Sequence, residues 1–234
     1  MNLDKSPDTI KIMFDSIAQN YDFMNDIMTG GTHRYTRKFM CNLITFNKRK
    51  IILDLATGTG DNIIYLKKNF PNTFIYGLDL SKNMLQIAVR RIKKKKLFSN
   101  VKLIEGDISK SPFESNFFDL CTISYGIRNV LDIRTALSEI NRVTKKGGCL
   151  IVVEATNPTN KYLNKLITFH FRFISPKLAR IVSSNYFAYN YLSKSIRAFP
   201  NTKNFVKLMR ESNWKKIKHY SLFFGSVTIY QGFK

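Results

Sequence analysis

Apolar residues in this chain fall into short runs that end on a carboxylate, a glycine or a serine, and that punctuation sets the expected elements. Ile51-Ile52-Leu53-Asp54-Leu55 reads as a buried strand, followed at once by the turn ATGTGD (56–61) and a helical stretch to Phe70. After Pro71, Phe74 to Asp79 gives a second strand ending in a carboxylate, and Ser81 stands where a helix N-cap belongs before Met84 to Lys95. Val101 to Ile104 and Asp119 to Ser124 read as strands and Thr135 to Val143 as a helix. A fifth strand, Cys149 to Glu154, is expected after a Gly147-Gly148 turn. The rhythm breaks between residues 155 and 200, a stretch rich in aromatics (Tyr162, Phe169, Phe171, Phe173, Tyr186, Phe187, Tyr189, Tyr191) that reads as a helical insertion. A last helix, Lys203 to Asn213, and two strands around Ile217 to Phe223 and Ser226 to Gln231 close the chain. Strands alternating with helices predict an α/β fold: a doubly wound parallel sheet covered on both faces, with the ligand crevice at the carboxyl ends of the strands. No repeat or linker divides the chain, so 1–234 is expected to be one domain.

Composition adds size and charge to this picture. At 234 residues with 44% hydrophobic positions the chain can bury a substantial core. No apolar run approaches the ~20 residues that span a bilayer, and the N-terminus has acidic residues and no apolar signal core. Cys41, Cys121 and Cys149 lie far apart without a CxxC pair, so neither a disulfide framework nor a zinc site is encoded and a reducing cytosol is the simplest home. The net charge of +22 suits RNA or an anionic membrane surface. It is equally consistent with lysine filling surface sites through nucleotide bias, since the basic residues are scattered and only Lys93 to Lys96 form a dense run, at an expected helix end.

The segment DLATGTGD carries the candidate chemistry. Glycines at the first strand-to-helix turn let a ligand approach the backbone, which points to Gly58 and Gly60. A dinucleotide fingerprint would need glycine at position 63, which is Ile63, and a Walker loop would need Lys-Ser/Thr after Gly60, where Asp61 and Asn62 stand. Asp54 and Asp61 make the loop electronegative, wrong for phosphates and right for the sulfonium and amino group of S-adenosylmethionine. Asp79, 79 − 60 = 19 residues past Gly60, is placed to accept both ribose hydroxyls, with a helix N-cap as its plainer role. Asp107 and Ile108 would meet the adenine amino group and ring, or else form an ordinary turn.

MFDSIAQNYDFMND, GGTHRYTRK, DLATGTGD, FFDLCTISYGIRNVLD, ALSEINRVTKKGG and YLSKSIRAFPN follow one another in an order that resembles the ubiquinone/menaquinone biosynthesis C-methyltransferase family nearly end to end. The resemblance implies a Rossmann-like class I S-adenosylmethionine-dependent methyltransferase with a seven-stranded, mostly parallel sheet, an N-terminal helical lid (about 1–48) and a cap insertion (about 155–200). It implies cofactor contacts from Thr59, Asp79, Asp107, Ile108 and Ser124, to which the loop reading adds Asp54, Gly58 and Gly60. Ala56 and Lys146 depart from the family's usual glycine and proline. The implied reaction is C-methylation of a prenylated, demethylated quinol, naphthoquinol or benzoquinol, without a metal. Arg128 is then expected to hold a quinol oxygen as its anion, or alternatively to form a structural salt bridge. Asn129 would donate nearby, and Tyr21, with Asp22 less so, would touch substrate from a segment that closes over the pocket. His33 and His170 receive no catalytic role. The aromatic insertion would serve the prenyl tail, and the charge would serve peripheral contact with anionic lipid at the inner membrane surface of the cytoplasm. An RNA methyltransferase and a non-catalytic scaffold are the rival readings; no nucleic-acid partner is expected, and a homodimer is left open.

Overall fold

The computed structural model describes residues 3–45, 50–158 and 186–234. Its frame is a seven-stranded sheet: β1 (Ile51–Leu55), β2 (Phe74–Asp79), β3 (Val101–Glu105), β4 (Phe118–Ser124), β5 (Thr144–Ala155), β6 (Lys215–Leu222) and β7 (Val227–Phe233). The strands lie in the order β3-β2-β1-β4-β5-β7-β6. All neighbours from β3 to β5 are parallel, whereas β7 runs antiparallel to both β5 and β6. The chain leaves β1 on one side through β2 and β3, then returns to β4 on the other. That reversal opens a crevice at the carboxyl ends of β1 and β4, where doubly wound sheets take their ligands.

Both faces of the sheet are covered. Leu53, Leu55, Ile123 and Val152 meet Leu137 and Ile140 of α6 (Ile133–Val143), Phe205 and Met209 of α8 (Thr202–Glu211), and Trp214. On the opposite face Ile52, Ile75, Ile151 and Val153 meet α3 (Thr32–Asn42), α4 (Asp61–Asn69) and α5 (Lys82–Lys94) through Met40, Ile63, Leu66 and Ile92. Most of these side chains are less than 2% exposed, each worth roughly 1.5–3 kcal/mol of burial. Consecutive residues of one strand feed opposite layers, which is why Ile51–Leu55 is apolar almost throughout instead of alternating.

Several boundaries follow the expected punctuation. Ser81 Oγ accepts from Met84 N at 3.1 Å and caps α5, which ends within the lysine run. The Gly147-Gly148 pair differs from expectation: β5 runs through it from Thr144. Gly147, at φ 76°, absorbs an irregularity as the register with β4 moves from Phe118↔Thr144 to Leu120↔Cys149, so the glycines make a bulge within the strand instead of a turn before it.

Among the described residues three α-helices precede the sheet: α1 (Pro7–Ile17), α2 (Tyr21–Thr29) and α3. Ile10 and Met13 of α1 pack with Ala188 and Tyr191 of α7 (Tyr186–Ala198). Asp15 Oδ1 accepts from Ser81 Oγ at 2.5 Å and from Asn83 N at 3.2 Å, tying α1 to the start of α5. Of the aromatic insertion, Tyr162, Phe169, Phe171 and Phe173, along with His170, lie outside the described residues. Among the described residues no helix is long and apolar enough to cross a membrane, and the three cysteines are free thiols.

Candidate active site

A cavity of about 430 Å³ opens at the carboxyl ends of β1, β2 and β4, roofed by α1 and the start of α2. Its wall includes Gly58, Asp79, Asp107, Ile108 and Ser124, five of the eight residues expected to meet the cofactor, and both Asn129 and Tyr21. The other expected residues lie behind the wall.

Asp79 ends β2 with Oδ2 accepting from Gly58 N at 2.7 Å and Oδ1 from Ser81 N at 2.8 Å. Burial pushes its pKa up to about 6 despite those two amide donors. The carboxylate is therefore desolvated, bonded on its inner side and turned to the cavity. Gly58 sits at φ 55°, and a Cβ there would meet only Tyr21, at 4.0 Å, so the loop leaves room on its cavity side. Asp107 accepts from Ser109 N at 2.8 Å, so the turn role and a place on the wall belong to the same residue.

Asp54 is fully buried beneath the loop. Oδ1 accepts from Asn62 Nδ2 (3.0 Å) and Thr122 Oγ1 (2.8 Å), while Oδ2 has no partner; burial raises its pKa to about 6. Gly60, at φ 85°, faces α5, where an added Cβ would lie 3.0 Å from the Cβ of Ala88, so this glycine serves helix packing and not the cavity wall. Thr59 also points away: its hydroxyl donates to Asp22 Oδ1 at 2.5 Å and accepts from Arg91 Nη1 at 2.8 Å. Arg91 continues to Asp61 at 2.6 Å, and Arg37 reaches Asp61 at 3.4 Å and Asn62 at 3.1 Å. The electronegative loop expected from Asp54 and Asp61 is thus corrected in part. Burial tends to raise the Asp61 pKa, but Arg37 and Arg91 outweigh it and hold the group below its usual range, neutralising its field. Asp22 ends up as a latch from α2 to the loop instead of a cavity residue.

The GIRN segment forms one tight turn after β4. A Cβ at Gly126 would fall 2.3 Å from the Cβ of Ala56, which itself takes φ 49°, so the loops after β1 and β4 touch where only glycine fits. Arg128 is 7% exposed and absent from the cavity wall. Its Nη1 donates to Glu154 Oε1 at 2.6 Å and to the carbonyl of Tyr125 at 2.5 Å. Its backbone N–H donates to Glu154 Oε2 at 3.3 Å. Burial would lower the Arg128 pKa, yet the Glu154 carboxylate raises it overall. The salt-bridge alternative for Arg128 is present in the geometry, through Nη1 alone. Asn129 lines the cavity and accepts from Tyr191 Oη at 3.3 Å, joining the turn to α7. Tyr21 packs edge-on against Phe14, and burial raises its pKa, so the phenol is neutral.

His33 is occupied structurally, with Nδ1 2.6 Å from Thr29 Oγ1 and Nε2 3.3 Å from Asp26. Sequence reasoning missed Lys5, Phe14, Met84 and Tyr125 on the wall. Lys5, Phe14 and Met84 sit in no glycine motif. Tyr125 adjoins GIRN, and its φ of 58° shows from structure alone where the backbone is strained. Among the described residues no group of three His, Cys, Asp or Glu could hold a metal ion.

The ubiE/COQ5 methyltransferase family matches residues 2–234. The chain is 33% identical to the demethylmenaquinone methyltransferase of Chlorobaculum tepidum, over 98% of this chain and 94% of that one. It is 36% identical to the enzyme of the same name from Streptomyces avermitilis, over 100% and 97%. It is 34% identical to the ubiquinone/menaquinone biosynthesis C-methyltransferase of Dinoroseobacter shibae, over 95% and 89%. In fold it resembles an S-adenosylmethionine-dependent methyltransferase from Thermotoga maritima (TM-score 0.66, 20% identity, 95% of this chain and 98% of that one). It also resembles Haemonchus contortus phosphoethanolamine N-methyltransferase 2 in complex with S-adenosylmethionine (TM-score 0.61, 15% identity, 83% and 51%).

Proposed function

The chain belongs to the ubiE/COQ5 methyltransferase family, and from that premise we propose that it C-methylates a prenylated, demethylated quinol, with demethylmenaquinol the first acceptor to test. The observation that carries the reading is one cavity whose wall combines Asp79, Gly58 and Asp107 with the apolar side chains of Phe14, Val130 and Leu131. Its volume falls in the ordinary range of a ligand pocket.

The residues fit S-adenosylmethionine. Asp79 is desolvated, faces the cavity and can accept ribose hydroxyls, while Asp107 and Ile108 stand one strand over, where the adenine would lie. The orphaned Oδ2 of Asp54 and the cation-laced far side of Thr59 and Gly60 shape the loop from behind. When bound, this cosubstrate supplies a methyl group on a sulfonium that departs as a neutral thioether, so no Lewis acid is required and chelators should leave the rate unchanged. Carbon is a weak nucleophile, so the chain must favour the acceptor's phenolate and hold the ring in line with the methyl group. Asn129 and Tyr21 are the wall residues that would touch the acceptor, and Arg128, through Glu154, fixes the turn that presents Asn129.

The prenyl tail would leave the cavity past Leu131, which is 70% exposed yet on its wall, toward a membrane that the +22 charge attracts at about 1 kcal/mol per well-placed cation. A cytoplasmic enzyme peripheral to the inner membrane surface follows from this; flotation with anionic liposomes that is insensitive to salt and lipid charge would refute it. The acceptor is tested with labelled S-adenosylmethionine, demethylmenaquinol and demethylated benzoquinol in detergent, and bulk RNA in parallel. Label in a quinol supports the reading. Label in RNA, a rival that the names of the relatives above do not favour, would overturn it.

A further inference from the structure

Among the described residues, the cations on the cavity wall are Lys5, Lys11 and Lys110. Lys11 is paired with Glu105, and Lys110 is exposed to solvent. Lys5 is half-buried and has no carboxylate partner among the described residues. The charges that act on it are Arg128, from the turn after β4, and Glu154, from β5; Tyr21 on the same wall is a neutral phenol. Arg128 and Glu154 offset each other, and the carboxylates on the same wall, Asp79, Asp107 and Asp132, form no ion pair with Lys5 among the described residues. An unpaired ammonium on a wall that also holds apolar side chains and Asn129 is a ready site for an anion.

We propose that Lys5, on the cavity wall, is a catalytic residue of the quinol reaction: its ammonium contacts the acceptor's ionised oxygen. This rests on the quinol reading above. The phenolic O–H bond breaks with its proton going to water, and the oxygen's electron pair feeds the adjacent ring carbon. That carbon forms a bond to the methyl group as the methyl–sulfur bond breaks with its pair going to sulfur. Loss of the ring proton to water restores the aromatic ring, and the oxygen is an anion at both ends of the step. Lys5 stays an ammonium throughout. Burial first, and the Arg128 charge second, hold its pKa below the usual lysine range, so the cation is lost at lower pH than for an exposed lysine.

The test compares wild type with Lys5→Met, Lys5→Gln and Lys5→Arg in kcat against pH with demethylated quinol, with S-adenosylmethionine affinity measured by calorimetry on the same samples. Lys5→Met and Lys5→Gln are expected to lose at least tenfold in kcat at neutral pH and to move the acid limb upward, because removing a nearby cation raises the pKa of the bound phenol. Cofactor affinity should change less than threefold. Lys5→Arg should keep most of the rate and lose the basic limb, since a guanidinium does not deprotonate in that range. Unchanged kcat in Lys5→Met, an unmoved acid limb, or Lys5→Arg as poor as Lys5→Met would overturn the proposal while wild-type methylation of quinol leaves the functional reading intact. A wild type that methylates no quinol would instead sink the reading on which it rests.

Discussion

Replacing Glu154 with glutamine should unfold this protein more readily than any change on its surface, and the size of the loss follows from what Glu154 holds. Its side chain is fully buried and accepts from Arg128 Nη1 (2.6 Å), Arg128 N (3.3 Å) and Ala155 N (2.8 Å). The Glu154→Gln variant keeps the shape but strands a guanidinium that cannot shed its proton, with Nε already lacking a partner. Breaking one side of a buried pair in this way costs roughly 3–5 kcal/mol, against a total stability of about 5–15 kcal/mol. For a chain of this length that lowers Tm by roughly 6–20 °C, at about 2–4 °C per kcal/mol. Arg128→Met should be milder and pH-dependent, because the orphaned carboxylate can take up a proton. Its folded pKa would then lie above the unfolded value, so the variant recovers stability as pH falls through the folded pKa and is weakest above it. The double variant should recover at least half of the Glu154→Gln loss. Urea unfolding of wild type and the three variants measures this cycle. A Glu154→Gln loss under about 1 kcal/mol, or a double variant as unstable as the sum of the singles, would refute a structural ion pair and return the Arg128 charge to the substrate.

Asp79→Asn should weaken S-adenosylmethionine binding at least tenfold by calorimetry. In wild type the affinity should fall as pH drops below about 6, the raised pKa of Asp79, with protons released on binding near that pH; pH-independent binding from 5 to 7 would contradict this. Gly126→Ala should destabilise by about 1–3 kcal/mol in a thermal melt, because its Cβ would sit 2.3 Å from Ala56, and Gly126→Ala in an Ala56→Gly background should be restored in part. Asp22→Ala, which removes the acceptor of Thr59 and an ion-pair partner of Arg91, should expose α1 and α2 to limited proteolysis in the absence of cofactor while leaving the thermal melt within about 1 kcal/mol.

The sheet was legible because each buried run ends near a polar residue that opens a loop: Asp54 before the glycine turn, Asp79 before the Ser81 cap, Ser124 before GIRN. The bulge at Gly147 was not, since glycine marks a turn or a bulge with equal fidelity. Within the loop, the glycine turn pointed to Gly58 and Gly60 and the family resemblance to Thr59, but only Gly58 reaches the cavity. A one-residue difference in direction sends Thr59 to Asp22 and Gly60 to α5, and no linear pattern encodes that. Arg128 shows the same limit: sequence supplied a guanidinium in a selective motif, while its partner Glu154 sits 26 residues later at the end of β5, a pairing that only the β4–β5 register brings about. Lys5, remote from every motif, became visible only when α1 was seen to roof the cavity.

The most direct test of quinol C-methylation is the position of the transferred methyl. Product from demethylmenaquinol and ¹³C-methyl S-adenosylmethionine, purified and read by NMR, should show the label bonded to a ring carbon, with both ring oxygens still free to be oxidised to the quinone. A methoxy carbon, or an unlabelled quinol beside consumed cofactor, would contradict the account.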